Sequence, residues 1–343
     1  MAKKTIHDVA QLAGVSAATV DRALHGRGGV SHASLVKINE AVTALSFGEH
    51  TKQITQKIRP KVNLRFILPA GGGGFISTLK TALQTATKQA TDVDTNLDFR
   101  AIAMEPERIV AELNQARLDK IDAVGLFGID TEEVRDAIDA NSNAGMAILT
   151  MVSDVPAALR TTFIGIDNVA AGRTAGRLMG KFLRGATGRV AVITGTMQIR
   201  DHAERYFAFR DILAKEYRQI GVLPVVETKT LDRFILESVK NLIQKHDDLL
   251  GIYLVTGGVT GVLSELRELP YDKKPVFITH DLKPSTRRGL ISGEIDAVIS
   301  QDAKKIAEAT IGNLLTKIVP TRPLINAAKE NICIDIFVAE NLP

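Results

Sequence analysis

The sequence predicts a small all-α domain joined by a linker to a larger α/β body, and three observations carry that reading. Apolar residues recur at helical spacing from Ile6 to Leu45. From Val62 onward, short apolar runs alternate with helical patterns. Positive charge gathers ahead of the body: residues 1–60 hold eight cations (Lys3, Lys4, Arg22, Arg27, Lys37, Lys52, Lys57, Arg59) against four acids (Asp8, Asp21, Glu40, Glu49), a surplus equal to the whole-chain net charge of +4. The body is therefore neutral. A chain of 343 residues with 45% hydrophobic content has room for two or three domains with buried cores.

Thr5 caps a first helix, Ile6 to Ala13, in which Ile6, Val9, Ala10 and Ala13 form one apolar face. Gly14 ends that helix, Val15 plugs a small core, and Ser16 caps a second helix from Ala17 to His25. A third helix runs from about His32 to Leu45 with Leu35, Ile38, Val42 and Leu45 facing inward, against Val9, Val20 and Leu24. The spacing is that of a helix-turn-helix, whose second helix enters the major groove of duplex DNA. Ala17, Ala18, Asp21, Arg22 and His25 are the outward set on that helix. Arg22 can form a bidentate bond with guanine, a contact worth about 1–3 kcal/mol of discrimination, and the two alanines can touch thymine methyls. Ser16, Thr19 and Ser31 suit phosphate contacts and caps, and Lys37 a phosphate contact. The other reading is a structural three-helix bundle with Arg22 as a surface cation.

In the body, Val62 to Leu68, Ala123 to Ile129, Ala147 to Val152, Arg189 to Thr194, Gly251 to Val255 and Pro275 to Thr279 read as buried strands with helices between them. Repeated βα units imply parallel sheets covered on both faces, and the length favours two similar lobes. Ligands of such sheets bind at the carboxyl ends of strands, so residues just past the strands are the candidates. Gly71 to Gly74 bring bare amides and Phe75 brings an aromatic ring able to stack on a sugar. The glycines could cradle phosphate, but no Lys-Ser or Lys-Thr follows them and GxGxxG is absent. Asp130 and Ser153 each follow a strand and could bond a hydroxyl; capping is an equal account of Asp130.

Ile6-His7-Asp8-Val9-Ala10, Ala13-Gly14-Val15-Ser16, Thr19-Val20 and Arg22-Ala23-Leu24 together resemble the headpiece signature of the lactose-repressor (LacI/GalR) family, and the rest of the chain has that family's layout. The resemblance implies a homodimer, or a tetramer, on a near-palindromic double-stranded operator, because twofold symmetry supplies two half-sites. It also implies a periplasmic-binding-protein-like body with three crossovers and a small-molecule effector, a sugar or polyol, in the cleft. By that analogy residues 1–47 are the DNA-binding domain and 48–61 the hinge. Of the effector domain over 62–340, one lobe comprises about 62–163 and 294–325, the other about 164–293 and 326–340. Thr5 joins the DNA-contacting set.

In the family a hinge helix wedges an apolar side chain into the minor groove. Here Gln56 stands where leucine is usual, with Ile54 or Ile58 as substitutes, and a plain basic linker is the alternative. The resemblance implies effector contacts from Arg205, Asp281 and Gln301. Thr256-Gly257-Gly258 stands where many relatives have Asn-Asp, which places Thr256 at the cleft but removes a carboxylate.

The single cysteine, Cys333, excludes an internal disulfide, and its apolar run Ile332 to Val338 suggests a buried thiol. No run of about 18 apolar residues suits a membrane span, and the first residues lack a secretion signal, so a cytoplasmic location away from membranes is expected. His280-Asp281 alone does not make a metal site or an acid–base pair, and HExxH, GxSxG and CxxC are absent, so neither a cofactor nor an enzyme is expected. The competing classes are a transport-associated sugar-binding protein, an enzyme acting on sugars, and a regulator that needs its ligand to bind DNA.

Overall fold

The computed structural model describes residues 5–24, 30–45, 59–71, 73–229, 232–319, 322 and 331–343. The N-terminal domain consists of α1 (Ile6–Ala13), α2 (Ala17–Leu24) and α3 (His32–Ala44). The Asp8 carboxylate accepts from the Thr5 amide at 2.6 Å and the Thr5 hydroxyl at 3.0 Å, closing the first turn of α1. Gly14 sits at φ 65°, the left-handed conformation that turns the chain from α1 toward α2. Ser16 Oγ accepts from the Thr19 amide at 3.1 Å, and Ser31 Oγ from the Ser34 amide at 3.2 Å. Both serines thus cap helices. Val9, Val20, Leu24, Ile38, Ala41 and Val42 form the buried core, with Leu35 and Leu45 packed at its edge.

The body begins with β1 (Lys61–Pro69), α4 (Gly73–Gln89), β2 (Asp94–Ile102), α5 (Pro106–Leu118), β3 (Ala123–Leu126), α6 (Glu132–Asn143), β4 (Ala147–Met151) and β5 (Phe163–Ile166). These strands join β12 (Asn331–Ile332) in a parallel sheet of order β12-β5-β4-β3-β1-β2. The second lobe holds α7 (Asn168–Phe182), β6 (Gly188–Thr194), α8 (Arg200–Glu216), β7 (Ile220–Val222), β8 (Val226–Glu227), α9 (Asp232–Lys245), β9 (Leu249–Leu254), α10 (Val259–Arg267), β10 (Val276–His280), α11 (Pro284–Ile291) and β11 (Ala297–Ser300). Its sheet runs β13-β11-β10-β9-β6-β7, with β13 (Asp335–Phe337) antiparallel to β11 and β8 beside β6. α12 (Ala303–Ile318) returns to the first lobe, where it packs on α4 and β4.

Strand pairing moves the lobe boundaries. β5 completes the first sheet through Met151↔Ile164, so the first crossover follows Ile166 rather than residue 163. β11 pairs with β10 through Ile278↔Ala297, so residues 294–300 belong to the second lobe and the next crossover follows Ser300. The third lies between Ile332, paired with Ile166, and Asp335, paired with Ser300. The apolar run around Cys333 is therefore two short strands in different sheets, and Cys333, on the crossover between them, is exposed rather than buried. β2 carries no apolar run in its sequence because it is an edge strand whose residues are all half-exposed or exposed.

α7 and α8 meet at backbone distance. A Cβ on Gly172 would fall on the Arg205 backbone, and one on Gly176 on Ile212, with the Phe209 carbonyl oxygen 2.9 Å away. Gly176→Ala is expected to cost about 1–3 kcal/mol, as overpacking typically does, read as a lower urea midpoint at unchanged m-value. Wild-type stability in that variant would show that the helices can part freely.

Candidate ligand cleft and nucleic-acid interface

In the headpiece, α2 presents Ala18 and Arg22 to solvent, with Thr19 and Asp21 half-exposed. Arg22 Nε donates to the Ala18 carbonyl at 3.3 Å, which keeps the guanidinium along the outer face of the helix. Ala17 is half-buried against the core, so it offers less outward surface than expected. Thr5, Ser16, Ser31 and Lys37 are exposed. His25 and Ile54 lie outside the described residues.

The cleft lies where the carboxyl ends of the two sheets face each other, a cavity of about 90 Å³. β1, α4, β3 and β4 supply Pro69, Phe75, Ile76, Phe127 and Val152 from the first lobe. α8 supplies Asp201, His202 and Arg205, and the ends of β9, β10 and β11 lead into Val255, Thr256, Asp281, Lys283 and Gln301. Each lobe carries one non-glycine residue here in the left-handed region, Val152 at φ 67° and Asp281 at φ 65°. Such strain persists where surroundings over-determine it, and a β-branched valine is especially ill-suited to it.

Arg205, only 2% exposed, donates from Nε to Asn168 Oδ1 at 2.9 Å, with Nη2 3.7 Å from Asp201. One turn of α8 separates Asp201 from Arg205, so both project from the same face. Gln301 Nε2 donates to Asp281 Oδ1 at 3.3 Å. Asp201 Oδ1, Gln301 Oε1 and Arg205 Nη2 are buried without a hydrogen-bond partner. Burial pushes the Asp281 carboxyl above its ordinary value against the pull of Arg205 and Lys283. Burial also holds His202 below the usual imidazole range, and His280, bonded to the Tyr253 hydroxyl at 2.7 Å, well below it.

The structure thus gathers Phe75, Arg205, Thr256, Asp281 and Gln301 around one cavity, and leaves out Asp130 and Ser153. The Asp130 carboxylate is occupied by Arg135 at 2.7 Å and, across the cleft, by Arg200 at 3.2 Å. Ser153 is fully buried beyond Val152, whose side chain takes the lining position. Sequence reasoning missed Asp201, His202 and Lys283 as lining residues. The first two stand four and three positions before Arg205 on one helix, a spacing that could have found them. Among the described residues no group of three His, Cys, Asp or Glu side chains is placed to hold a metal ion, and no helix is long and apolar enough to cross a membrane.

A two-lobed, three-crossover body behind a helix-turn-helix headpiece defines a ligand-binding protein fused to a DNA-binding domain. Residues 64–318 match the periplasmic binding protein domain, and residues 5–48 match the bacterial regulatory proteins of the lacI family. The chain belongs to the periplasmic-binding-protein domain family and is a DNA-binding regulator of the lacI type.

GanP, a glucose-galactose binding protein from Geobacillus stearothermophilus, is similar at TM-score 0.73 and 20% identity, over 83% of this chain and 100% of that one. A solute-binding protein from Burkholderia graminis, solved with D-arabinose, gives TM-score 0.73 and 20% identity over 82% and 96%. A proposed LacI transcriptional regulator from Bacteroides fragilis gives 0.71 and 16% over 82% and 98%. These likenesses show the fold. No curated protein matches the chain by sequence.

Two predictions follow from the cleft. His202 and His280 stay neutral in the fold while the unfolded chain takes up protons near pH ~6.5, so stability falls as pH drops below that value. His280→Gln is expected to flatten the decline in Tm between pH about 7 and about 5.5; an unaltered slope would remove His280 as its source. Asp130→Asn removes a cross-lobe pair of the partly exposed kind, worth about 0.2–1 kcal/mol, and should raise the open-to-closed ratio up to about fivefold. Dye-pair energy transfer between the lobes would read the change, and an identical distance distribution would deny the pair any role in closure.

Proposed function

We propose that this protein is a transcriptional repressor whose grip on operator DNA is controlled by a small sugar or polyol bound between the lobes. One observation carries the reading: a lacI-type reader and a cleft lined by buried, unpartnered polar atoms occur in the same chain. Such atoms are costly unless a ligand satisfies them. The similar proteins that bind glucose-galactose or D-arabinose support a carbohydrate as the occupant. Operator readout by a homodimer follows from the few bases one headpiece can contact. A protein that grips the chromosome works in the cytoplasm. A purely transport-associated role leaves the reader unused.

The test is selection of duplexes from a random library by the full-length protein, followed by titration of the selected operator with candidate sugars. Arg22→Ala is expected to weaken operator binding by about 1–3 kcal/mol and relax one base position. Lys37→Ala is expected to lower affinity for all duplexes alike and flatten the salt slope. Equal losses on operator and random DNA for Arg22→Ala would remove its reading role, and failure to enrich any duplex would end the regulator reading.

A further inference from the structure

The cleft is chemically one-sided. Among the described residues, the side chains that the first lobe brings to it are Pro69, Phe75, Ile76, Phe127 and Val152, all apolar. The charged and amide groups, Asp201, Arg205, Asp281, Lys283 and Gln301, all come from the second lobe and its crossover. That wall is electrically balanced, two carboxylates against two cations. It also holds both kinds of unmet demand: Asp201 Oδ1 and Gln301 Oε1 lack donors, and Arg205 Nη2 lacks an acceptor. Lys283 forms no ion pair among the described residues, and its Cδ reaches across the cleft to within 3.3 Å of where a Cβ on Gly74 would stand.

We propose that the cleft takes a neutral, unphosphorylated, monosaccharide-sized ligand with hydroxyls along one edge and a C–H surface on the other, a deoxy sugar being the class that fits best. The proposal rests on the reading of this cleft as the effector site. A hydroxyl both donates and accepts, so a row of them meets the carboxylate, amide and guanidinium together. For a phosphate or carboxylate, the pull of Arg205 and Lys283 is offset by Asp201 and Asp281, so an anion would lose its hydration without a net opposite charge to meet it. A hydroxyl turned toward Phe75, Phe127 and Val152 would lose its water and gain no side-chain partner. The cavity, about 90 Å³, is far smaller than the ~300–1000 Å³ of pockets for drug-sized ligands, which favours a single sugar ring over a larger saccharide.

The test is calorimetric titration of the full-length protein with matched sets: each aldohexose configuration, its 6-deoxy form and its 6-phosphate. In the configuration that binds, the deoxy form is expected to match or exceed the parent, and the phosphate to bind at least about 100-fold more weakly. Affinity for the neutral form should not change between about 0.05 and about 0.5 M salt. Asp201→Asn should weaken binding about tenfold or more, Lys283→Gln by less than about tenfold, and Ser153→Ala, on the apolar side, by less than about twofold.

A phosphate that binds more tightly than its parent, a parent about tenfold tighter than its deoxy form, or a tenfold loss in Ser153→Ala would each overturn the proposal while leaving the effector reading in place. Silence across all the sets would sink both, and the operator selection, which needs no ligand, would still report on the headpiece alone.

Discussion

The polar half of the cleft hangs from one helix, and that helix is held by contact with bare backbone. α8 carries Asp201, His202 and Arg205, and it lies against the glycine face of α7 so closely that side chains at Gly172 or Gly176 have nowhere to go. α7 itself starts one residue past the first crossover. Its first residue, Asn168, accepts from Arg205 Nε. The guanidinium at the bottom of the cleft is therefore fixed from two directions, by helix packing under its own Cα and by an amide at the crossover. A buried arginine pays heavily for lost hydration, and here Asn168, the Val255 carbonyl and Asp201 offset that loss while leaving one nitrogen unsatisfied.

The remaining demand is concentrated where strands end. Val152 and Asp281 are left-handed at corresponding places, each at the exit of a strand in its own lobe. Val152 turns an apolar side chain into the cavity and sends Ser153 behind it. Asp281 turns a carboxyl toward Gln301, the first residue after β11 and so part of the second crossover. Two of the three crossovers thus abut a ligand-facing polar group, Asn168 through Arg205 and Gln301 directly. A molecule that bonds to these groups acts on segments that join the two lobes.

What the sequence made legible follows from what each signal measures. Strands buried on both faces announce themselves as apolar runs, which is why β1, β3, β4, β6, β9 and β10 were visible, while β2 at a sheet edge was not. The headpiece was legible because its caps, Thr5, Ser16 and Ser31, and its left-handed Gly14 are local devices that do not depend on the fold around them. The site was legible in part. A strand end pointed to Phe75, and family resemblance to Arg205, Thr256, Asp281 and Gln301. Position after a strand also pointed to Asp130, which lies outside the cavity lining, its carboxylate paired with two arginines, one from the opposite lobe. Cross-lobe partners are invisible in sequence, as is a backbone turn such as that at Val152, which decides whether the next side chain faces the ligand or the core.

The chain's connectivity limits how a ligand can speak to the headpiece. The linker enters the body at β1, so the reader is attached to the first lobe alone. The hydrogen-bonding side chains belong to the second lobe, and the side chains that the first lobe brings are, among the described residues, apolar. Polar side-chain contacts with a ligand therefore act on the reader's lobe through how the second lobe sits against the first. Among the described residues, the contacts that register this relation include the Asp130–Arg200 pair and Lys283 against Gly74. A ligand that makes its hydrogen bonds to one lobe and its apolar contact to the other is stabilised only when the two come together, and that difference between arrangements is what allosteric control requires.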